Sequence, residues 1–182
     1  MEVVYLISVL ILDGFSDSTF CADSKIMSEV TDIYIPLLTG ILRFNGIKCE
    51  VVYPKGLERQ YKIVGECKSN IVYAPIFSCA KDTNAAVSFI HTDSTDGGSE
   101  SFRIASKLRK EREELLNQVV FVNQLQESDS LKSYYPVIVD EIRFLKTAPI
   151  CDVTEKLYTI ALGFCGVLCR HNGIIFKDPS LC

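Results

Sequence analysis

Apolar and polar positions alternate along this chain with two periods. Val3–Leu12, Ile47–Tyr53, Ile71–Phe77, Ala86–Thr92, Val119–Asn123 and Val137–Ile142 are strand candidates. Several are apolar almost throughout, as strands covered on both faces require. Between them, apolar residues return at helical spacing. From about Ser28 to Phe44, Ile33, Leu37, Ile41 and Phe44 share a face. Pro36 kinks that helix or marks a late start, and Asn45-Gly46 supplies a C-terminal stop. A second helix follows Gly97-Gly98 with Ser99 as its N-cap, carries Phe102, Ala105 and Leu108 on one side, and runs to about Leu116. A third runs from about Thr154 to Arg170, with Leu157, Ala161, Phe164, Cys165 and Leu168 inward and His171-Asn172-Gly173 ending it. Lys55–Cys67 fits a short helix or a loop, and Gln124–Tyr134 a polar loop.

Strands alternating with helices predict an α/β fold: one domain over residues 1–182, with a twisted, mostly parallel sheet of about six strands and helices on both faces. Composition agrees, since 48% of the 182 residues are hydrophobic and a chain of this length buries a sizeable core. The net charge of −4 argues against nucleic acid as a partner, because phosphate neutralisation needs a clustered basic face. The densest basic stretch, Arg103 to Arg112, is interrupted by Glu111 and followed by Glu113 and Glu114, and reads as a solvated helix face. The Tyr and Phe residues are scattered and form no stacking stripe for single strands.

Eight cysteines contain no Cys-x-x-Cys, which speaks against structural zinc. Cys49, Cys79 and Cys165 sit in apolar runs, where a free thiol acts as a small hydrophobe. This usage points to a reducing compartment. The Val3–Leu12 run is shorter than the roughly 20 residues a bilayer needs. Glu2 stands where a signal peptide carries positive charge. The expectation is therefore a protein made in a reducing cytoplasm, without a signal peptide or membrane span.

Glu141 is the first candidate for chemistry. It closes the apolar strand Val137–Ile142, at the end of an α/β sheet where ligands bind. Low dielectric there suits a carboxylate to acid–base work, while Asp140 must face the other way because strand side chains alternate. The plainer alternative is a strand-end carboxylate paired with Arg143 or a lysine.

The segment Pro136-Val-Ile-Val-Asp-Glu141-Ile-Arg-Phe144 resembles the Leu-Val-Glu-Gly-Phe-like strand of the zinc-dependent N-acetylmuramoyl-L-alanine amidases, with Arg143 where glycine is usual. Ser28-Glu29, the following helix and Asn45-Gly46-Ile47 resemble the family's first helix, which opens on a zinc-binding glutamate. Element order is similar over nearly the whole chain. The departures concern the metal. Leu12-Asp13-Gly14-Phe15 stands where the family has Asp-Pro-Gly-His, so Phe15 replaces the first zinc histidine. The second histidine has two registers. In one, His91 of Ser88-Phe-Ile-His91-Thr-Asp93 supplies it. In the other, Ile71–Cys79 is the relevant strand and Ile76 or Phe77 replaces the ligand, with Val87–Thr95 as the next strand and Ser99–Leu116 as the next helix.

A catalytic zinc uses three protein ligands and one open position. Glu29 and His91 make an incomplete set, and the spacing of Cys21 and Cys79 compels neither as a third. The resemblance thus implies a degenerate amidase-like domain without a cofactor. Its role would be structural or binding, in a bacterial or phage assembly that ends in a virion or at the cell wall. Its partners would be other proteins, a second copy of itself, or peptidoglycan. The alternative is an active amidase in which Glu29 and His91 hold zinc and Glu141 is catalytic at the lactyl-L-alanine amide bond. An unrelated α/β domain is the third reading. Other motifs have plainer explanations. His91 with Asp93 and Ser94 or Ser88 lacks a nucleophile elbow. Asp96-Gly97-Gly98-Ser99 lacks the P-loop lysine. Cys165 and Cys169, one helical turn apart, read as core thiols, with a soft-metal pair as the alternative.

Overall fold

The structure, a computed structural model, describes residues 7–13, 24–53, 68–80, 87–92, 100–115, 137–145 and 150–182. Five strands and three helices follow in the order β1 (Ser8–Leu12), α1 (Ser24–Phe44), β2 (Lys48–Val52), β3 (Ile71–Ala80), β4 (Val87–Thr92), α2 (Glu100–Leu115), β5 (Val137–Leu145) and α3 (Ile150–His171). The sheet order is β2-β1-β3-β5-β4. All neighbours run parallel except β4, which is antiparallel to β5. The mostly parallel α/β sheet is thus the one the pattern predicts. The sixth strand candidate, Val119–Asn123, and the segments Lys55–Cys67 and Gln124–Tyr134 lie outside the described residues.

Alternation along the strands sorts side chains onto two faces. Val9, Ile11, Ile71, Tyr73, Phe77, Ile138 and Ile142 form one core with α1, α2 and α3. Leu10, Leu12, Val72, Ala74, Ile76, Val137 and Val139 form a second cluster on the opposite face. That face is buried too. The described helices all belong to the first core.

Two helix boundaries and one helix face differ from expectation. Helix α1 begins at Ser24 and carries Pro36 in its interior, and α3 begins at Ile150. On α1 the buried positions are Val30, Tyr34, Ile35, Leu38, Ile41 and Leu42, whereas Phe44 is 47% exposed. The inward stripe is therefore rotated from the Ile33–Leu37–Ile41–Phe44 line, because Tyr34 and Leu38 reach the sheet. On α3, Leu157, Ala161, Phe164, Cys165 and Leu168 are all fully buried, as the spacing predicts.

Helices α1 and α3 stop on the same tripeptide, Asn-Gly-Ile. Gly46 (φ +73°) and Gly173 (φ +67°) take the left-handed conformation that a side chain disfavours. Ile47 N–H then donates to Leu42 O at 2.9 Å and Ile174 N–H to Cys169 O at 2.8 Å, closing a Schellman turn in each case. Asn45 also fixes the last segment of the chain. Its Nδ2 donates to Ile41 O and Lys177 O, and its Oδ1 accepts from Lys177 N–H at 2.7 Å. Among the described residues, no helix is long and apolar enough to cross a membrane.

Candidate functional site

The centre of β5 carries two adjacent acids in a strand that is apolar apart from them and Arg143, and the pleat sends them to opposite faces. Asp140 shares the helix-covered face with Ile138 and Ile142 and is fully buried. Arg112 of α2 meets it with both terminal guanidinium nitrogens, Nη1 on Oδ1 and Nη2 on Oδ2, the latter at 2.9 Å. Tyr73 of β3 donates its hydroxyl to Asp140 Oδ2 at 2.5 Å. Its single proton is thereby used, so Tyr34 of α1, 2.8 Å away, donates to the Tyr73 oxygen. This chain of contacts joins α1, β3, β5 and α2 inside the core.

Electrostatics follows from burial. Desolvation pushes both tyrosines above their ordinary range, and the Asp140 charge raises them further. Burial works against the charge on Arg112, and the Asp140 carboxylate with its hydrogen bonds outweighs it, so the guanidinium is held above its usual range. Arg112 was expected on a solvated face. It is only 3% exposed, while Arg103, Lys107 and Lys110 of the same helix face solvent. A signal for this was present: Ala105, Leu108 and Arg112 fall at i, i+3 and i+7, so Arg112 continues the apolar stripe.

Glu141 lies on the other face and is 2% exposed. Register fixes its surroundings. Ile11, Tyr73 and Ile138 stand in line across the sheet, and β1 ends at Leu12, so Glu141 lies two positions past the end of β1. There Ile76 is its neighbour on β3 and Phe89 on β4. Strand β5 continues to Leu145, so Glu141 is mid-strand in β5 and beyond the edge only of β1. At that edge Asp13 is half-buried, and burial, then the nearby Asp32 of α1, push its carboxyl above the ordinary range.

Glu29 is exposed near the start of α1, which packs over β2 and β3 on the Asp140 side. His91 lies in β4, the far edge strand, opposite Val139, with β5 between it and β3. Glu29 thus lies on a helix packed over β2 and β3, and His91 in the edge strand beyond β5. Going from Phe89 to His91, β4 runs back toward the starts of the parallel strands. Strand β3 fills the position beside Glu141 with Ile76, and Phe77 follows on the other face, both buried. Gly14, Phe15, Cys21, Asp93, Ser94 and the Asp96–Ser99 turn lie outside the described residues. Among the described residues, no group of three or more His, Cys, Asp and Glu side chains could hold a metal ion.

Other candidates have structural partners. His171 accepts from Lys107 Nζ at Nδ1 (2.9 Å) and meets Glu100 Oε1 through Nε2 (3.1 Å), which ties the end of α3 to α2. Cys165 and Cys169 are fully buried with their sulfurs 4.0 Å apart. Burial raises both thiols, which keeps them protonated at neutral pH.

No family model matches the chain, and no curated protein matches it by sequence. Solved structures do match. The N-acetylmuramyl-L-alanine amidase Ami1 from Mycobacterium smegmatis superposes with a TM-score of 0.66 at 10% identity, covering 94% of this chain and 99% of that one. An N-acetylmuramoyl-L-alanine amidase from Clostridium difficile 630 gives 0.64 at 12% identity, over 92% and 97% of the two chains. The catalytic domain of CwlV, an amidase from Bacillus (Paenibacillus) polymyxa var. colistinus, gives 0.62 at 13% identity, over 93% and 100%. The chain therefore has the fold of the N-acetylmuramoyl-L-alanine amidases over nearly its whole length.

Proposed function

We propose that this protein is a degenerate peptidoglycan-amidase-like domain that lacks a catalytic zinc and serves a binding or structural role in a cell-wall-associated or phage assembly. The observation that carries the reading is Ile76. In the second register Ile76 or Phe77 takes the place of the family's second zinc histidine, and of the two it is Ile76 that is buried beside Glu141 in the β3–β5 register. An isoleucine offers no lone pair to a metal, and zinc sites use Cys, His, Asp or Glu. Glu29 and Glu141 alone do not make the three-ligand set that a catalytic zinc uses.

A protein partner fits this role. The CwlD amidase of Clostridioides difficile, which shares the fold at a TM-score of 0.59, is described in complex with the GerS lipoprotein. One observation favours the rival, an active amidase acting on the lactyl-L-alanine amide bond. Glu141 remains a buried carboxylate just past the end of β1, where open α/β sheets present ligands.

Elemental mass spectrometry on protein purified without chelator or affinity metal decides between them, together with turnover of purified peptidoglycan. The proposal expects far less than one zinc per chain, unchanged on zinc addition, and no amide cleavage by the parent or by Glu141→Gln. One zinc per chain with cleavage that Glu141→Gln abolishes establishes the enzyme instead.

A further inference from the structure

On the outer side of the helices, away from Glu141, α2 and α3 frame an open groove of about 520 Å³. Lys107, Lys110 and Glu111 line one wall, and Val167 and Arg170 the other. Arg103 precedes Lys107 by one helical turn and Lys110 follows by three residues, so the three cations fall in a stripe along α2. All three are exposed.

The charges within the stripe are unevenly matched. Arg170 pairs with Glu111 at 2.7 Å. Glu100 is taken by His171, and Lys107 donates to the same ring. Lys110 and Arg103 have no ion-pair or hydrogen-bond partner among the described residues. Among the described side chains of the groove and stripe, four cations thus face two engaged carboxylates, on a chain whose net charge is −4. The positive charge is concentrated where there is a concave surface to receive a ligand.

The shape narrows the ligand. The groove is much larger than one phosphate needs, since a single water occupies about 30 Å³ of liquid. Its walls are not purely polar, because the aliphatic stems of Lys107, Lys110 and Arg170 contribute apolar surface beneath the charged heads. A ligand carrying only charge leaves that surface uncovered. A peptide with alternating acidic and apolar side chains satisfies both. We infer that the α2–α3 groove is a docking site for an acidic, partly apolar peptide segment of a partner protein. The inference does not depend on zinc or on Glu141, which lies on the other face of the sheet.

Fluorescence anisotropy with a short labelled peptide of alternating glutamate and leucine tests it on the whole protein. Saturable binding is expected, and it weakens as salt is raised through the physiological range, because exposed charges are screened over about 8–10 Å. Lys110→Glu should weaken binding about tenfold, the effect of losing one favourable surface pair and gaining an unfavourable one. Arg103→Glu should act in the same direction. Both positions are exposed, so circular dichroism should show an unchanged fold. A polyglutamate of equal length should bind less tightly than the glutamate–leucine peptide. The inference is overturned if the peptide does not saturate, if both variants bind like the parent, or if polyglutamate or a single-stranded oligothymidylate binds more tightly.

Discussion

Asp140 and Glu141 are adjacent in the chain and do opposite work. Asp140 is locked into the helix-side core by Arg112 and Tyr73, while Glu141 lies on the other face beside Ile76. The first carboxylate ties the sheet to α2, and the second lies past the end of β1 on the opposite face. The pleat of β5 alone separates the two roles.

Removing one partner of the buried pair should be expensive. Asp140→Ala leaves the Arg112 guanidinium buried without its counter-charge and should cost about 3–5 kcal/mol. The double variant Arg112→Met/Asp140→Leu removes both charges and should lose less than the single variant. Urea denaturation of the three proteins checks this, and additive losses in the double variant would refute the pairing.

Tyr73 gives the same network a pH signature. Its folded pKa is raised, first by burial and then by Asp140, so the native state holds the proton more tightly than the unfolded chain does. The stabilisation is complete below the ordinary tyrosine value of 10.0 and is lost as pH rises above it. The parent should therefore lose stability above that pH more steeply than Tyr73→Phe. At neutral pH Tyr73→Phe should cost about 1–3 kcal/mol, because Tyr34 and Asp140 each lose a buried partner. Thermal melts across alkaline pH give both numbers.

Ile76→His places a ligand-type side chain beside Glu141. Burying the imidazole should lower stability by about 1–3 kcal/mol. If the site has lost its metal through such replacements, zinc should raise the melting temperature of this variant and leave the parent unchanged, since only a ligand of the folded state stabilises it. An equal rise in the parent would place zinc in the natural protein.

Asn45→Ala removes the side-chain contacts with Ile41 and Lys177 and should cost about 1–3 kcal/mol. The effect should be local to the end of the chain. Hydrogen exchange should speed up over residues 174–182 and remain slow in β3 and β5. Uniform acceleration would show that Asn45 supports the whole core.

The sheet was legible because covered parallel strands leave long apolar runs, and the split of Asp140 from Glu141 followed from alternation. The face of α1 was misplaced because Tyr34 buries its whole ring and hydroxyl in the network, while Phe44, the more apolar residue, sits at the helix end where no strand covers it. Arg112 was misread for the converse reason. Its neighbours Lys110 and Glu111 do face the groove or solvent, and composition averages over a helix whose two sides differ. Its place on the stripe with Ala105 and Leu108 was readable, but its partner Asp140 lies 28 residues away and becomes a neighbour only through the fold. Glu29, Glu141 and His91 could be picked out by residue type. Their relative placement needed the strand order, because β5 enters between β3 and β4 after both in the sequence.

That late insertion bears on how the chain is made. Strand β4 has β5 as its strand neighbour among the described residues, and β5 leaves the ribosome about 45 residues after β4 ends. At roughly 5–20 residues per second, β4 waits some 2–9 seconds for its partner. During translation the Val87–Thr92 segment is thus complete before the strand it pairs with in the described sheet has been made.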